Sequence, residues 1–334
     1  MQPKMACLRS GLCGFGLLLC LLLHACTVTV NPPVPPDLSQ NWQTLSDLPP
    51  EVLRSLQGSS IEYVPTDEGL TIPVRAFNSE GIKRPLLMVH GLQSHSGWFA
   101  QSAAFMASLG HPVYVIDRRG SGLSKASRGD IKDYRDWIID IQVVAEKALH
   151  RHGCRQIYLL GHCFGAIPAT LYATSHPDKV KGLILGTPGM HTHTSIPLSQ
   201  KMKIALSRSG QRDYYFAVPL DTNQFSELRE YEPFIEADPL ALRAVTGDLY
   251  WQIHKARQQI LSESQGLTMP LLVGFAGEDE IADNARNRRW LATVPSISKT
   301  EIVYPDARHI LEFSRERDRY FKDLRNWLSW QEDR

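Results

Sequence analysis

The sequence predicts an α/β fold, a mostly parallel sheet with helices on both faces, and three observations carry the prediction. From about residue 85 onward, short apolar runs alternate with amphipathic stretches, the pattern of strands buried on both faces and joined by helical crossovers. The chain has 334 residues, 43% hydrophobic and 21% charged, enough to bury a substantial core. One long stretch, residues 189–266, breaks the alternation and reads as an inserted, mainly helical cap.

In chain order, residues 84–89 read as a buried strand running into His90-Gly91-Leu92-Gln93. Residues 111–116 form the next strand, followed by Asp117-Arg118-Arg119-Gly120-Ser121-Gly122-Leu123-Ser124, a glycine-bearing loop read as architectural. Ile138, Ile141, Ala145 and Leu149 fall at helical spacing along one core-facing stripe. Residues 155–160 make a strand, 164–174 a helix and 180–185 a further strand. Within the cap, Tyr214, Tyr215, Phe216, Phe225, Phe234, Leu240, Leu242, Tyr250 and Trp251 are available to pack it onto the core or to line an acyl-chain pocket. Strands at 270–275 and 300–304 complete the series, which assigns residues 51–188 and 267–334 to the core.

Between the strand at 155–160 and the helix after it stands Gly161-His162-Cys163-Phe164-Gly165. A strand-turn-helix with this spacing reads as a nucleophile elbow, here with a thiol where a hydroxyl usually stands, the alternative being a buried cysteine in an ordinary strand-to-helix turn. The glycines let strand and helix backbones approach without a Cβ clash, and the helix dipole favours a thiolate. A nucleophile needs a base, an orienting acid and an oxyanion hole. His309, in the loop after the strand at 300–304, is the candidate base. The loop after 270–275 supplies acids at Glu278, Asp279, Glu280 and Asp283, and its position alone leaves the choice among them open. The N–H of Phe164, with that of Leu92 or Gln93, is the candidate oxyanion hole.

His90-Gly91, Asp117-x-Arg-Gly-x-Gly-x-Ser124, the elbow, Ala276-Gly277-Glu278-Asp279-Glu280-Ile281 and Pro305-x-Ala-x-His309 follow one another in a telling order. Over roughly residues 60–330 the chain resembles the α/β-hydrolases of the monoacylglycerol lipase and lysophospholipase-like group, also called serine aminopeptidase-like, with nucleophile, acid and base in that order. The resemblance implies Asp279 as the orienting acid. It implies an acyl hydrolase acting on lipid-like esters such as monoacylglycerols or lysophospholipids, with no cofactor. Cys163 in place of serine is the departure from that family's pattern, and it turns the expected intermediate into a thioester. It also leaves an acyltransferase or thioesterase, or a non-catalytic envelope lipoprotein, as alternatives.

The first 26 residues read as an export signal. Lys4 and Arg9 precede an apolar run at 11–23 that is too short to span a bilayer. Leu23-His24-Ala25-Cys26 then resembles the bacterial lipoprotein box, which implies lipidation of Cys26, a membrane-anchored place in the cell envelope and, as the alternative, secretion. Residues 27–50, with Asn31-Pro32-Pro33-Val34-Pro35-Pro36, form an extended tether. Of the 6 cysteines, Cys154 and Cys163 alone fall in the folded body. They bracket one strand, whose rise of about 3.3 Å per residue sets them on the order of 25 to 30 Å apart, beyond disulfide reach. A net charge of +1 without a basic, aromatic-rich run argues against a nucleic-acid partner. His191 and His193 lack a companion cluster, so no metal is expected.

Overall fold

The computed structural model describes residues 48–77, 82–193, 204 and 214–333. The expected signal peptide, Cys26 and most of the tether lie outside the described residues. Ten strands are seen among them. They are β1 (Ser60–Pro65), β2 (Thr71–Phe77), β3 (Leu86–Val89), β4 (Val113–Ile116), β5 (Ile157–His162), β6 (Val180–Gly186), β7 (Tyr215–Ala217), β8 (Ala244–Thr246), β9 (Leu271–Ala276) and β10 (Lys299–Tyr304). The helices are α1 (Pro50–Gln57), α2 (Ala100–Ser108), α3 (Arg135–His152), α4 (Ala166–Ser175), α5 (Glu232–Ala237), α6 (Gly247–Glu263), α7 (Asn284–Thr293) and α8 (Arg317–Glu332).

Eight strands form one sheet in the order β1-β2-β4-β3-β5-β6-β9-β10. From β4 through β10 every pairing is parallel, while β1 with β2 and β2 with β4 are antiparallel. β3, β4, β5 and β9 are buried along their whole length, as strands covered on both faces must be. β10, at the edge, alternates between exposed and half-buried residues until Tyr304. Helices cover both faces of this sheet, the α/β architecture the apolar runs predict.

Two details differ from the sequence reading. The core face of α3 is formed by Trp137, Asp140, Ile141, Val144, Ala145 and Ala148, with Ile138 and Leu149 only half-buried at its flank. Arg119 explains the turn of that face: its guanidinium pairs with the buried Asp140 at 2.6 Å and draws a polar residue inward. The second detail concerns the segment between β6 and β9, where a short antiparallel ribbon of β7 and β8 accompanies the helices. Its register sets Phe216 against Val245, and both side chains are buried.

This segment is fastened to the loops at the carboxyl ends of the core strands. Trp98 packs edge-on against Phe225 and in tilted contact with Phe234 and Phe313. Beneath that cluster the buried carboxylate of Asp238 accepts from Trp98 Nε1 at 2.5 Å and lies 2.8 Å from His95 Nε2. Phe225, Phe234, Leu240 and Leu242 thus hold the segment to the core, whereas Tyr214 is exposed.

Candidate active site

β5 carries Gly161 and His162 to its end, and Cys163 begins a single 3-10 turn, Cys163–Gly165, that leads into α4. Cys163 has φ 52°, one of two non-glycine residues described with positive φ. That conformation is costly for a side-chain-bearing residue, and surrounding contacts must impose it. Close backbone approach supplies them. A Cβ at Gly165 would stand 2.1 Å from the Val89 carbonyl oxygen, and one at Gly161 would stand 2.6 Å from that of Gly165. On the open side, Gly91 and Gly189 press against Cys163 itself. A Cβ at Gly91 would lie 3.2 Å from Cys163 Cβ and 3.7 Å from its sulfur, and one at Gly189 would lie 2.8 Å from the Cys163 carbonyl carbon. The Gly189 N–H also donates to the Cys163 carbonyl at 2.8 Å.

His309 follows β10, and Asp279 follows β9. Their side chains are buried, with Nδ1 of the imidazole 2.9 Å and 3.0 Å from the two carboxylate oxygens. A carboxylate only accepts, so Nδ1 carries the hydrogen and Nε2 is left as the basic atom. Nε2 is buried without a nitrogen or oxygen partner among the described residues. Burial alone would lower the pKa of His309. The Asp279 carboxylate outweighs it, with a smaller contribution from Cys163, and raises the imidazole to about 10.

The neighbouring acids lie elsewhere. Asp283 caps α7 by accepting from the Arg286 N–H at 2.9 Å, while Glu278 and Glu280 are exposed. His191 and His193 run beside this loop: Asp283 N–H donates to the His191 carbonyl and His193 N–H to that of Ile281.

The elbow histidine points inward. His162 Nε2 is 3.2 Å from the His309 carbonyl oxygen and 2.9 Å from Thr187 Oγ1. Burial, reinforced by the charge of His309, holds its pKa well below the ordinary histidine range. A carbonyl only accepts, so the hydrogen on Nε2 points to the His309 backbone and steadies that residue from behind. Thr187, the other described non-glycine residue with positive φ, stands where β6 ends and the chain turns towards Gly189.

The N–H groups of Leu92 and Gln93 have no hydrogen-bond partner among the described residues, although their carbonyls are occupied. Phe164 stands in the first turn of a helix, where N–H groups have no intrahelical acceptor. The loop after β4 is architectural as expected at Asp117, which accepts from Ser96 N–H at 2.7 Å and Leu123 N–H at 3.0 Å. Arg118 beside it reaches further, to the carbonyls of Gly91 and Leu92. Gly189, Thr187 and Arg257, whose Nη2 donates to the Gly189 carbonyl at 2.9 Å, complete the surroundings of Cys163. None of these has a local motif. Their roles come from strands that only the folded sheet brings together.

A parallel sheet of this order, with a strained strand-to-helix elbow, defines the chain as an α/β-hydrolase. It belongs to the serine aminopeptidase, S33, family, whose model matches residues 81–316. Among its relatives is human monoglyceride lipase, 22% identical over 280 residues, 83% of this chain and 92% of that protein. Phospholipase YtpA of Bacillus subtilis is 24% identical over 249 residues, 72% of this chain and 93% of the relative. Among solved structures, the fold matches Paleococcus ferrophilus monoacylglycerol lipase with a TM-score of 0.71 at 20% identity, covering 78% of this chain and 99% of that one. A soluble variant of Saccharomyces cerevisiae monoglyceride lipase, in complex with a substrate analog, matches at 0.72 with 18% identity, covering 82% and 96%.

Proposed function

We propose that this chain hydrolyses carboxylic esters of lipid-like alcohols, such as monoacylglycerols or lysophospholipids, through a Cys163-His309-Asp279 triad. The observation that carries the reading is Cys163 at positive φ on the elbow, beside an imidazole whose far nitrogen is bound by a buried carboxylate. Cys163 Sγ, its proton held by His309 Nε2, adds to the ester carbonyl carbon. Negative charge forming on the carbonyl oxygen is met by the N–H groups of Phe164 and of Leu92 or Gln93. The C–O bond to the alcohol breaks as His309 returns the proton to the departing oxygen, leaving a thioester on Cys163. Water then attacks that carbonyl, giving its proton to His309, and cleavage of the C–S bond releases the acid and restores the thiol. The lipid substrate class is supported by the names of the relatives, monoglyceride lipases and a phospholipase among them.

Lipidation at Cys26 belongs to the same proposal. It would hold the domain at the surface of an envelope membrane, where esters of long acyl chains reside.

Intact-protein mass spectrometry after exposure to a panel of acyl esters and thioesters tests the reading. The expected result is an acyl adduct on Cys163, absent from Cys163→Ala together with turnover. Undiminished turnover in Cys163→Ala would exclude the thioester route. Inclusion of alcohol and amine acceptors separates hydrolysis from transfer by its products.

A further inference from the structure

The loop that follows β3 has an unusual division of its polar groups. The carbonyls of Gly91, Leu92 and Gln93 are all taken, the last by the Leu242 N–H at 2.8 Å, while the N–H groups of Leu92 and Gln93 have no partner among the described residues. A single group, Arg118 Nη2, donates to the first two carbonyls, at 2.9 Å and 2.5 Å. His90 Nδ1, 2.8 Å away, adds a second donor to the Gly91 oxygen. These carbonyls belong to the very peptide units whose nitrogens are those of Leu92 and Gln93. In a planar trans peptide the C=O and N–H point in opposite directions, so gripping the oxygens from one side aims the hydrogens at the other.

The same guanidinium lies over the Phe164 ring, with Cζ 4.8 Å from its centroid. Arg118 is 2% exposed, has no ion pair with a carboxylate among the described residues, and leaves Nε and Nη1 without a partner. Burying such a cation is unfavourable unless it serves something. Among the described residues its hydrogen bonds go to the two carbonyls, and its ring contact is with the residue supplying the third amide.

We propose that Arg118 is a positioning residue for the oxyanion hole, holding the Gly91–Leu92 and Leu92–Gln93 peptides so that their N–H groups face the reacting carbonyl. The assignment rests on the triad reading above, since it concerns the charge that develops when Cys163 attacks. Hydrogen bonding to a peptide oxygen also polarises the unit and strengthens its N–H as a donor. Burial lowers the guanidinium's pKa to about 9, with the charges of Asp117 and Cys163 acting in the opposite direction, so the group is cationic at neutral pH.

The test compares two reactions of the same sulfur. Alkylation of Cys163 by iodoacetamide displaces a halide and forms no oxyanion, whereas ester turnover does. In Arg118→Met, kcat for a short acyl ester should fall by about 10²–10³, the loss typical of one oxyanion-hole donor. KM and the alkylation rate taken at its high-pH limit, where the sulfur is fully ionised in both proteins, should stay within about threefold of wild type, because neither depends on transition-state charge at the oxygen. Arg118→Lys keeps a cation that can reach one carbonyl, so it should fall between the two and serves as the second arm if the methionine variant folds poorly. Equal losses of alkylation and turnover would assign Arg118 to the sulfur or to the fold, and unchanged kcat would remove its role; either overturns the proposal. Failure of the triad reading is recognised separately, by turnover that survives Cys163→Ala.

Discussion

The Asp279 carboxylate meets Nδ1 of His309 with both oxygens, at 2.9 Å and 3.0 Å, while its Oδ1 also accepts from the N–H groups of Ile281 and Ala282 at 2.9 Å and 2.8 Å. The carboxylate is thus locked by its own loop where it meets the imidazole. Asp279→Asn keeps the shape but puts an amide where an acceptor is needed, which favours the wrong tautomer. Steady-state turnover should fall by about 10⁴, as in the corresponding serine-protease change. Glu278→Gln, Glu280→Gln and Asp283→Asn should stay near wild type, since two are exposed and asparagine also caps helices.

Cys163→Ser tests whether sulfur itself is required. The elbow backbone accepts either side chain, because the strain lies at φ and the glycines around it are unchanged. The hydroxyl is a much weaker acid than a thiol, and its shorter bond to Cβ gives it less reach from the same backbone. Ester hydrolysis, measured by fatty-acid release, should drop substantially while the melting temperature stays close to wild type. A fully active serine form would show that the site is indifferent to the nucleophile's element.

Gly165→Ala should act on stability. Its Cβ would stand 2.1 Å from the Val89 carbonyl oxygen and 2.6 Å from that of His90, both backbone atoms of a central strand and its loop. No side chain can swing aside, so the cost should reach or exceed the ~3 kcal/mol upper range of ordinary overpacking. Thermal unfolding would show a midpoint lower by roughly 6–12 °C. A midpoint within two degrees of wild type, taken as about 1 kcal/mol or less, would contradict the close approach.

Glu312 supplies a stability window distinct from the triad. Its carboxylate accepts from Ser102 N–H at 2.8 Å and Ser102 Oγ at 2.6 Å, but burial outweighs these donors and pushes its pKa up to about 7. A folded pKa above the unfolded value near 4.5 means that the protonated form is favoured by folding. Its contribution is complete below about pH 4.5 and is lost as pH rises through about 7. Wild type minus Glu312→Gln in denaturant unfolding should therefore change across that interval by an amount on the order of 3 kcal/mol. A difference independent of pH would contradict it.

His309 has the same sign over a higher range. With its folded pKa at about 10 against an unfolded value near 6.5, its protonated form stabilises the fold fully below about pH 6.5, and that contribution disappears as pH rises through about 10. The stability difference between wild type and His309→Gln should shrink steadily over this interval. No shrinkage would mean that the Asp279 partnership does not stabilise the imidazolium.

The sequence made legible whatever was local and periodic. β3, β4 and β9 are unbroken apolar runs, β5 is apolar up to His162 and β6 is broken by Lys181 alone, and each is followed by a loop whose glycine, histidine or aspartate stands out. The hairpin of β1 and β2 was hidden because Pro73 interrupts β2, and proline ordinarily argues against a strand flanked on both sides. The face of α3 turned because Asp140 is buried by Arg119, a partner remote in sequence. Arg118 could be read as one of two adjacent loop arginines, and nothing in its neighbours tells which one reaches the loop after β3 and which one α3. That distinction arises only when the β3 and β4 loops meet.

Cys154 and Cys163 are both free thiols, the first half-buried just after α3 and the second buried at the elbow. They give the folded body an internal gauge. Thiol reagents of graded bulk would react at both sulfurs under one set of conditions, with Cys154 normalising for reagent strength. The ratio of the two modifications then measures how wide a molecule the approach to Cys163 admits. The chain therefore carries its own ruler for the bore of its entrance, readable by peptide mapping without any substrate in hand.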